Sequence, residues 1–213
     1  MSTTTMLSAS TRVCTLSDVM AVSTRPYHHG NLRPALLEAA ESALARSEEL
    51  SLRSLAREVG VSHAAPRRHF ADKQALLDAL AEDGFERLGS EMHGAIVGAG
   101  AGFRDRLTAL ARAYVRFATE HATLLDLMYA GKHRSESLRS AADRAFAAPL
   151  AMIEEGQAAG EIVGGDVLGV AAVPWACFHG LASMANGGLL GDLPAEALVD
   201  VAVERLVDGL APR

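Results

Sequence analysis

The chain has 213 residues, 49% of them hydrophobic and only 5% aromatic, with a net charge of −6 and a mean hydropathy of +0.13. That is enough apolar material for a substantial core, and the scarcity of alternating Val, Ile and Thr beside abundant Ala, Leu, Glu and Arg predicts an all-α fold. The two cysteines, Cys14 and Cys177, are too far apart in sequence to suggest a disulfide framework or a metal-ligand spacing, which fits a reducing cytoplasm.

Residues 1–24 lack the basic start and continuous apolar segment of a signal peptide, and "MSTTTMLSASTR" reads as a disordered leader, with Met20 an alternative start. Leu32, Leu36, Leu37, Ala40, Ala43 and Leu44 recur at helical spacing and predict a helix over 31–46, with Pro34 in the first turn, where no hydrogen bond is lost. Ser51 is placed to cap a short helix carrying Leu52, Leu55, Ala56 and Val59 on one face, stopped by Gly60 in a left-handed conformation. Ser62 is then expected to cap a second short helix reaching Phe70, with Ala65, Pro66 and Phe70 inward and His63, Arg67 and Arg68 outward. Asp72 caps a longer helix with Leu76, Leu77, Leu80 and Leu88.

Further on, Leu107, Leu110, Tyr114 and Phe117 mark a helix over 103–121, and "TLLDLMYAGKH" a shorter one closed by Gly131. A long helix over 135–159 is expected to kink or break near Pro149, and a final amphipathic one covers 194–210. Between these last two, residues 167–191 contain no Asp, Glu, Lys or Arg. That run is long enough to cross a bilayer. Pro174, His179, Ser183, Asn186, several glycines and acidic flanks argue instead for a helix buried on all sides, half in its own domain and half against a dimer partner.

Charge is unevenly distributed. Residues 24–80 hold eight Lys and Arg against seven acids, whereas residues 81–213 hold eleven against eighteen. Two short helices joined by the glycine turn in "REVGVSH" match a helix-turn-helix. Its second helix has the chemistry of a reader: Ala64 and Ala65 allow close approach, Arg67 and Arg68 neutralise phosphates or grip guanine edges, and a helix N-terminus attracts phosphate. Ser51, Ser62, His63, His69 and Lys73 complete the candidate DNA-contacting set; His63 is the candidate base-edge reader, while His69 is also placed to pack beside Phe70. A solvated basic face is the alternative for each cation, as is ordinary capping for each serine.

"LSLRSLAREVGVSHAAPRRHFADKQALLDAL" resembles the DNA-binding head of TetR/AcrR-family transcriptional repressors, through Gly60, Val61–Ser62, His69–Phe70 and Lys73 with its following leucines. "YHHGNLRPALLEAA" and "WACFHG", with Trp175, His179 and Gly180, are similar to the subgroup whose C-terminal ligand domain carries a Trp-x-x-x-His-Gly signature. The resemblance implies a homodimer with three N-terminal helices for operator DNA and about six more forming a ligand pocket and dimer interface. Ligand binding would then change the spacing of the two heads. Arg67 stands where the family usually has a tyrosine at the phosphate backbone, and "ARSEELSL" is shorter than the usual link and lacks its glycine.

The sequence therefore predicts a disordered leader over 1–24, a DNA-binding domain over 25–80 and a ligand-binding and dimerisation domain over 81–213. Candidate pocket residues are Phe103, Tyr114, Phe117, Met128, Tyr129 and Phe146, with Met152, Trp175, Phe178 and His179; core packing is the alternative for each. No phosphate loop, nucleophile elbow or zinc-protease helix is present, and no enzyme activity, cofactor or metal site is expected. The expected partners are double-stranded operator DNA, a small apolar or amphipathic effector and a second copy of the chain, in the cytoplasm and away from membranes. A helical small-molecule or protein-binding module without DNA binding is the alternative.

Overall fold

The structure is a computed structural model that describes residues 32–211. The expected leader, Cys14, Met20 and the start of the expected DNA-binding domain lie outside the described residues. Eight α-helices and no strand occur among the described residues, as the composition predicts.

Helix α1 (Leu32–Ala45) buries Leu36, Leu37, Ala40 and Ala43 at the spacing read from the sequence. It ends without glycine. Ser47 takes the left-handed conformation, φ 55°, and the Ser47 and Glu48 amides donate to the carbonyls of Leu44 and Ala43 at 2.9 and 3.0 Å. These two bonds close the helix in the way a C-terminal glycine normally does. Helix α2 (Leu52–Glu58) and one 3₁₀ turn (Pro66–Arg68) follow, leading into α3 (Lys73–Gly98).

Asp72 caps α3, its Oδ1 accepting from the Ala75 amide at 2.8 Å. The helix continues well past Leu88, although Gly84 and Gly89 in its interior disfavour helix. Packing explains Gly89: a Cβ there would lie 2.8 Å from the Ala145 Cα on a neighbouring helix. That neighbour is α6 (Glu136–Ala158), which is capped by Ser135 and runs through Pro149 without interruption.

Helices α4 (Phe103–Glu120) and α5 (Ala122–Gly131) pack beside α3, and α4 also packs against α7 (Val167–Asn186) and α8 (Ala195–Leu210). One continuous apolar core runs from Leu36 of α1 through Leu80, Tyr114 and Phe117 to Val203 of α8. Within the single chain the charge-free α7 packs one face and leaves the other open. Pro174, Phe178 and Ala182 are buried, but Leu168 is 65% exposed, Val173 56% and Met184 42%. By length and hydropathy alone α7 could cross a membrane.

Candidate functional site

Two places collect the candidate residues: the basic edge after α2, and a cavity among α3 to α7. At the first, Ser51 caps α2 reciprocally. Its Oγ accepts from the Ser54 amide at 3.0 Å, while Ser54 Oγ accepts from the Ser51 amide at 3.1 Å. The far end of α2 closes on Gly60 at φ +76°, with the Val61 amide donating to Ala56 at 2.9 Å and the Gly60 amide to Arg57 at 3.2 Å. Both ends of this short helix are thus satisfied, which fixes the angle at which the chain leaves it.

The expected second helix is not an α-helix. Residues 62–70 form turns around the single 3₁₀ turn, whose capping position is held by Ala65 without a side-chain bond. Ser62 contributes its carbonyl, accepting from the Ala65 amide at 3.0 Å, and is not a side-chain cap. The reason is local: so short a segment has little to gain from α-helical bonds, and Pro66 removes a donor in its middle. The inside–outside pattern is the expected one. Pro66 and Phe70 are buried, Ala65 is half-buried, and His63, Ala64, Arg67 and Arg68 are exposed. His69 is also exposed, its ring 6.4 Å from that of Phe70, and Lys73 is exposed as the first residue of α3.

The cavity measures about 550 Å³, within the range of small-molecule sites. Six of the candidate residues line it: Tyr114, Tyr129, Phe146, Met152, Trp175 and Phe178. Trp175 is the anchor of this wall, with ring centroids 4.4 Å from Tyr114 and 4.5 Å from Phe146, the latter edge-on. Four candidates lie outside the wall. Phe103 packs under Gly156, Phe117 lies 4.9 Å from the His121 ring, Met128 fills the space at Gly84, and His179 sits behind the tyrosines.

Tyr114 and Tyr129 form the polar element of this apolar space. Their hydroxyls are 3.3 Å apart, and the Tyr114 hydroxyl also lies 2.8 Å from His179 Nδ1. Burial raises both phenols: Tyr114 is driven far above its ordinary range, and Tyr129 is pushed up to about 12 despite the bond from Tyr114. Both are therefore neutral hydroxyls, able to donate and accept.

Sequence reasoning missed the rest of the lining, notably Phe85, Pro149 and the rim residues Lys132, His133, Arg139 and Asp143. The adjoining Arg134 reaches across to Asp78 of α3, whose carboxylate also accepts from Gln74 at 2.8 Å. A second link joins α1 to the body. Arg87 of α3 donates to Glu41 of α1 at 2.6 Å, and His121, between α4 and α5, lies 2.9 Å from the same carboxylate. Desolvation opposes the Arg87 charge, but the pairing with Glu41 prevails and raises its pKa.

Residues 107–210 match the tetracyclin repressor-like C-terminal domain. A protein of unknown function from Rhodococcus sp. RHA1 is 47% identical, with 88% of this chain and 100% of that chain covered and a TM-score of 0.82. A TetR family transcription regulator from Marinobacter aquaeolei VT8 shares the fold at 18% identity, over 86% and 97% of the two chains, with a TM-score of 0.71. A regulatory protein in the TetR family from Rhodococcus RHA1 does so at 17% identity, over 85% and 98%, with a TM-score of 0.62. No curated protein matches the chain. The chain thus matches the tetracyclin repressor-like C-terminal domain over residues 107–210 and shares the fold of TetR-family regulators over most of its length.

Proposed function

We propose that the chain is a DNA-binding transcriptional regulator, acting as a homodimeric repressor that leaves its operator when a small apolar or amphipathic effector fills the cavity. One observation carries the reading: an exposed basic edge, Arg67, Arg68 and Lys73, is joined through the unbroken α3 to a domain with an aromatic cavity. In this reading His63 and the small Ala64 and Ala65 face base edges, while Ser51, Ser62 and His69 flank the phosphates. The domain boundary near residue 80 falls within α3, so head and body move as parts of one lever.

The open face of α7, with Leu168, Val173 and Met184, and the exposed Val201 on α8 support pairing with a second copy. Acidic flanks at Asp166 and Asp192 are the wrong sign for a membrane anchor, and the protein works in the cytoplasm without a catalytic role. Trp175, His179 and Gly180 support a reading within the Trp-x-x-x-His-Gly subgroup.

The test is binding to a labelled fragment of the chain's own upstream DNA, with excess competitor and at two salt concentrations. The expected result is specific, salt-sensitive binding to a nearly two-fold-symmetric site. Replacing Arg67 and Arg68 together by Ala should weaken it and flatten the salt dependence by about 0.9 per lost phosphate contact. An unchanged slope overturns the assignment of these arginines. A folded dimer with no DNA binding favours the second reading, a binding module without DNA function, to which the single 3₁₀ turn at Pro66–Arg68 lends support.

A further inference from the structure

The interior of the cavity is aromatic and aliphatic, but its rim carries Lys132, His133 and Arg139 against one acid, Asp143. Residues 81–213 hold eleven Lys and Arg against eighteen acids, so a cation without a carboxylate partner is uncommon here. The neighbouring arginines are neutralised, Arg134 by Asp78 and Arg139 by Glu136. Lys132 has no carboxylate within salt-bridge distance among the described residues; its ammonium instead lies 5.8 Å from the centre of the Tyr129 ring, on the cavity wall. Such a contact contributes roughly 0.5–1 kcal/mol and leaves the ammonium's donors available. The end of α5 at Gly131 accounts for a cation nearby through the helix dipole, but not for Arg139, which comes from α6.

We propose that the cavity takes an anionic amphiphile. Its singly charged head is held by Lys132, with His133 and Arg139 beside it, and its apolar body lies against Trp175, Phe146 and Phe178. A volume of about 550 Å³ accommodates roughly eighteen non-hydrogen atoms at ~30 Å³ each. The inference rests on the effector-site reading above and adds the chemistry of the ligand.

Trp175 is the single tryptophan of the chain, so its fluorescence reports cavity occupancy directly. The full chain is titrated near neutral pH with dodecanoate, dodecanol and dodecyltrimethylammonium, each below its micelle concentration. Dodecanoate should bind about tenfold more tightly than dodecanol. Lys132→Gln, an exchange at the rim that leaves the core intact, should abolish that preference by bringing the dodecanoate affinity down to that of dodecanol. Equal affinities for acid and alcohol, a preference for the ammonium, or a preference for the acid that survives Lys132→Gln overturns the proposal while the cavity stands as a binding site. No fluorescence response to any of the three, with Trp175 still accessible to acrylamide, overturns the effector-site reading and this inference with it.

Discussion

Glu41 of α1 and His121, at the joint of α4 and α5, meet at 2.9 Å, Oε1 to Nδ1, with Arg87 of α3 closing the group. All three side chains are only 23–34% exposed, so the contact is partly shielded from water. Glu41→Ala and His121→Ala should each cost about 1.5–3 kcal/mol, as hydrogen bonds to charged groups do. The double variant should cost less than the two singles combined, by about 0.5–1 kcal/mol. Urea unfolding of the four proteins checks this; strictly additive losses would show that the contact contributes nothing.

Gly89 is a helix position where the usual best residue should be harmful. Alanine has about 1 kcal/mol more helix propensity than glycine, yet a Cβ at Gly89 meets the Ala145 backbone at 2.8 Å, and a backbone cannot swing aside. Gly89→Ala should therefore force α3 from α6 and destabilise by about 1–3 kcal/mol. Gly94→Ala on the same helix meets nothing within 4 Å and should stabilise by up to about 1 kcal/mol. A comparison of the two melting temperatures tests both.

Ser47 holds a left-handed conformation that glycine adopts without steric cost. Ser47→Gly should raise stability by about 0.5–1 kcal/mol in denaturant unfolding. A loss instead would mean that glycine's extra freedom in the unfolded chain outweighs the relief.

The buried Tyr129 hydroxyl sets an alkaline limit. It titrates at about 12 in the folded chain against an ordinary value of 10.0, so the unfolded chain loses its proton first. Below pH 10 the group leaves stability unaffected by pH; between 10 and 12 stability falls by about 1.4 kcal/mol per pH unit. Tyr129→Phe should remove this part of the alkaline decline, measured by urea unfolding across that window. The same decline in the variant would assign it to other groups.

The helices were legible because their buried faces repeat at the helical period, and the caps at Ser51 and Asp72 because such side chains bond nearby amides. The end of α1 was not, since nothing in "ARSEEL" marks Ser47 as the residue that bears the left-handed turn. Nor was the extent of α3, because Gly84 and Gly89 are unfavourable until α5 and α6 press against them. The cavity was half legible. An aromatic residue on a buried face reads the same whether it meets another side chain or empty space, so Trp175 and Phe117 could not be told apart. Lys132, His133 and Arg139 left a weaker mark, a basic cluster in an acidic half of the chain.

Helix α3 starts at Lys73, grips through Asp78 the loop that carries Lys132, and lends Phe85 to the cavity wall. From Lys73 to Phe85 is about 18 Å of rod at 1.5 Å per residue, too stiff to absorb a shift at either end. Under the proposed function, information on such a rod travels both ways. Whatever factor an occupied cavity takes from the affinity for DNA, bound DNA must take from the affinity for the occupant, so the operator itself acts as an antagonist of the effector.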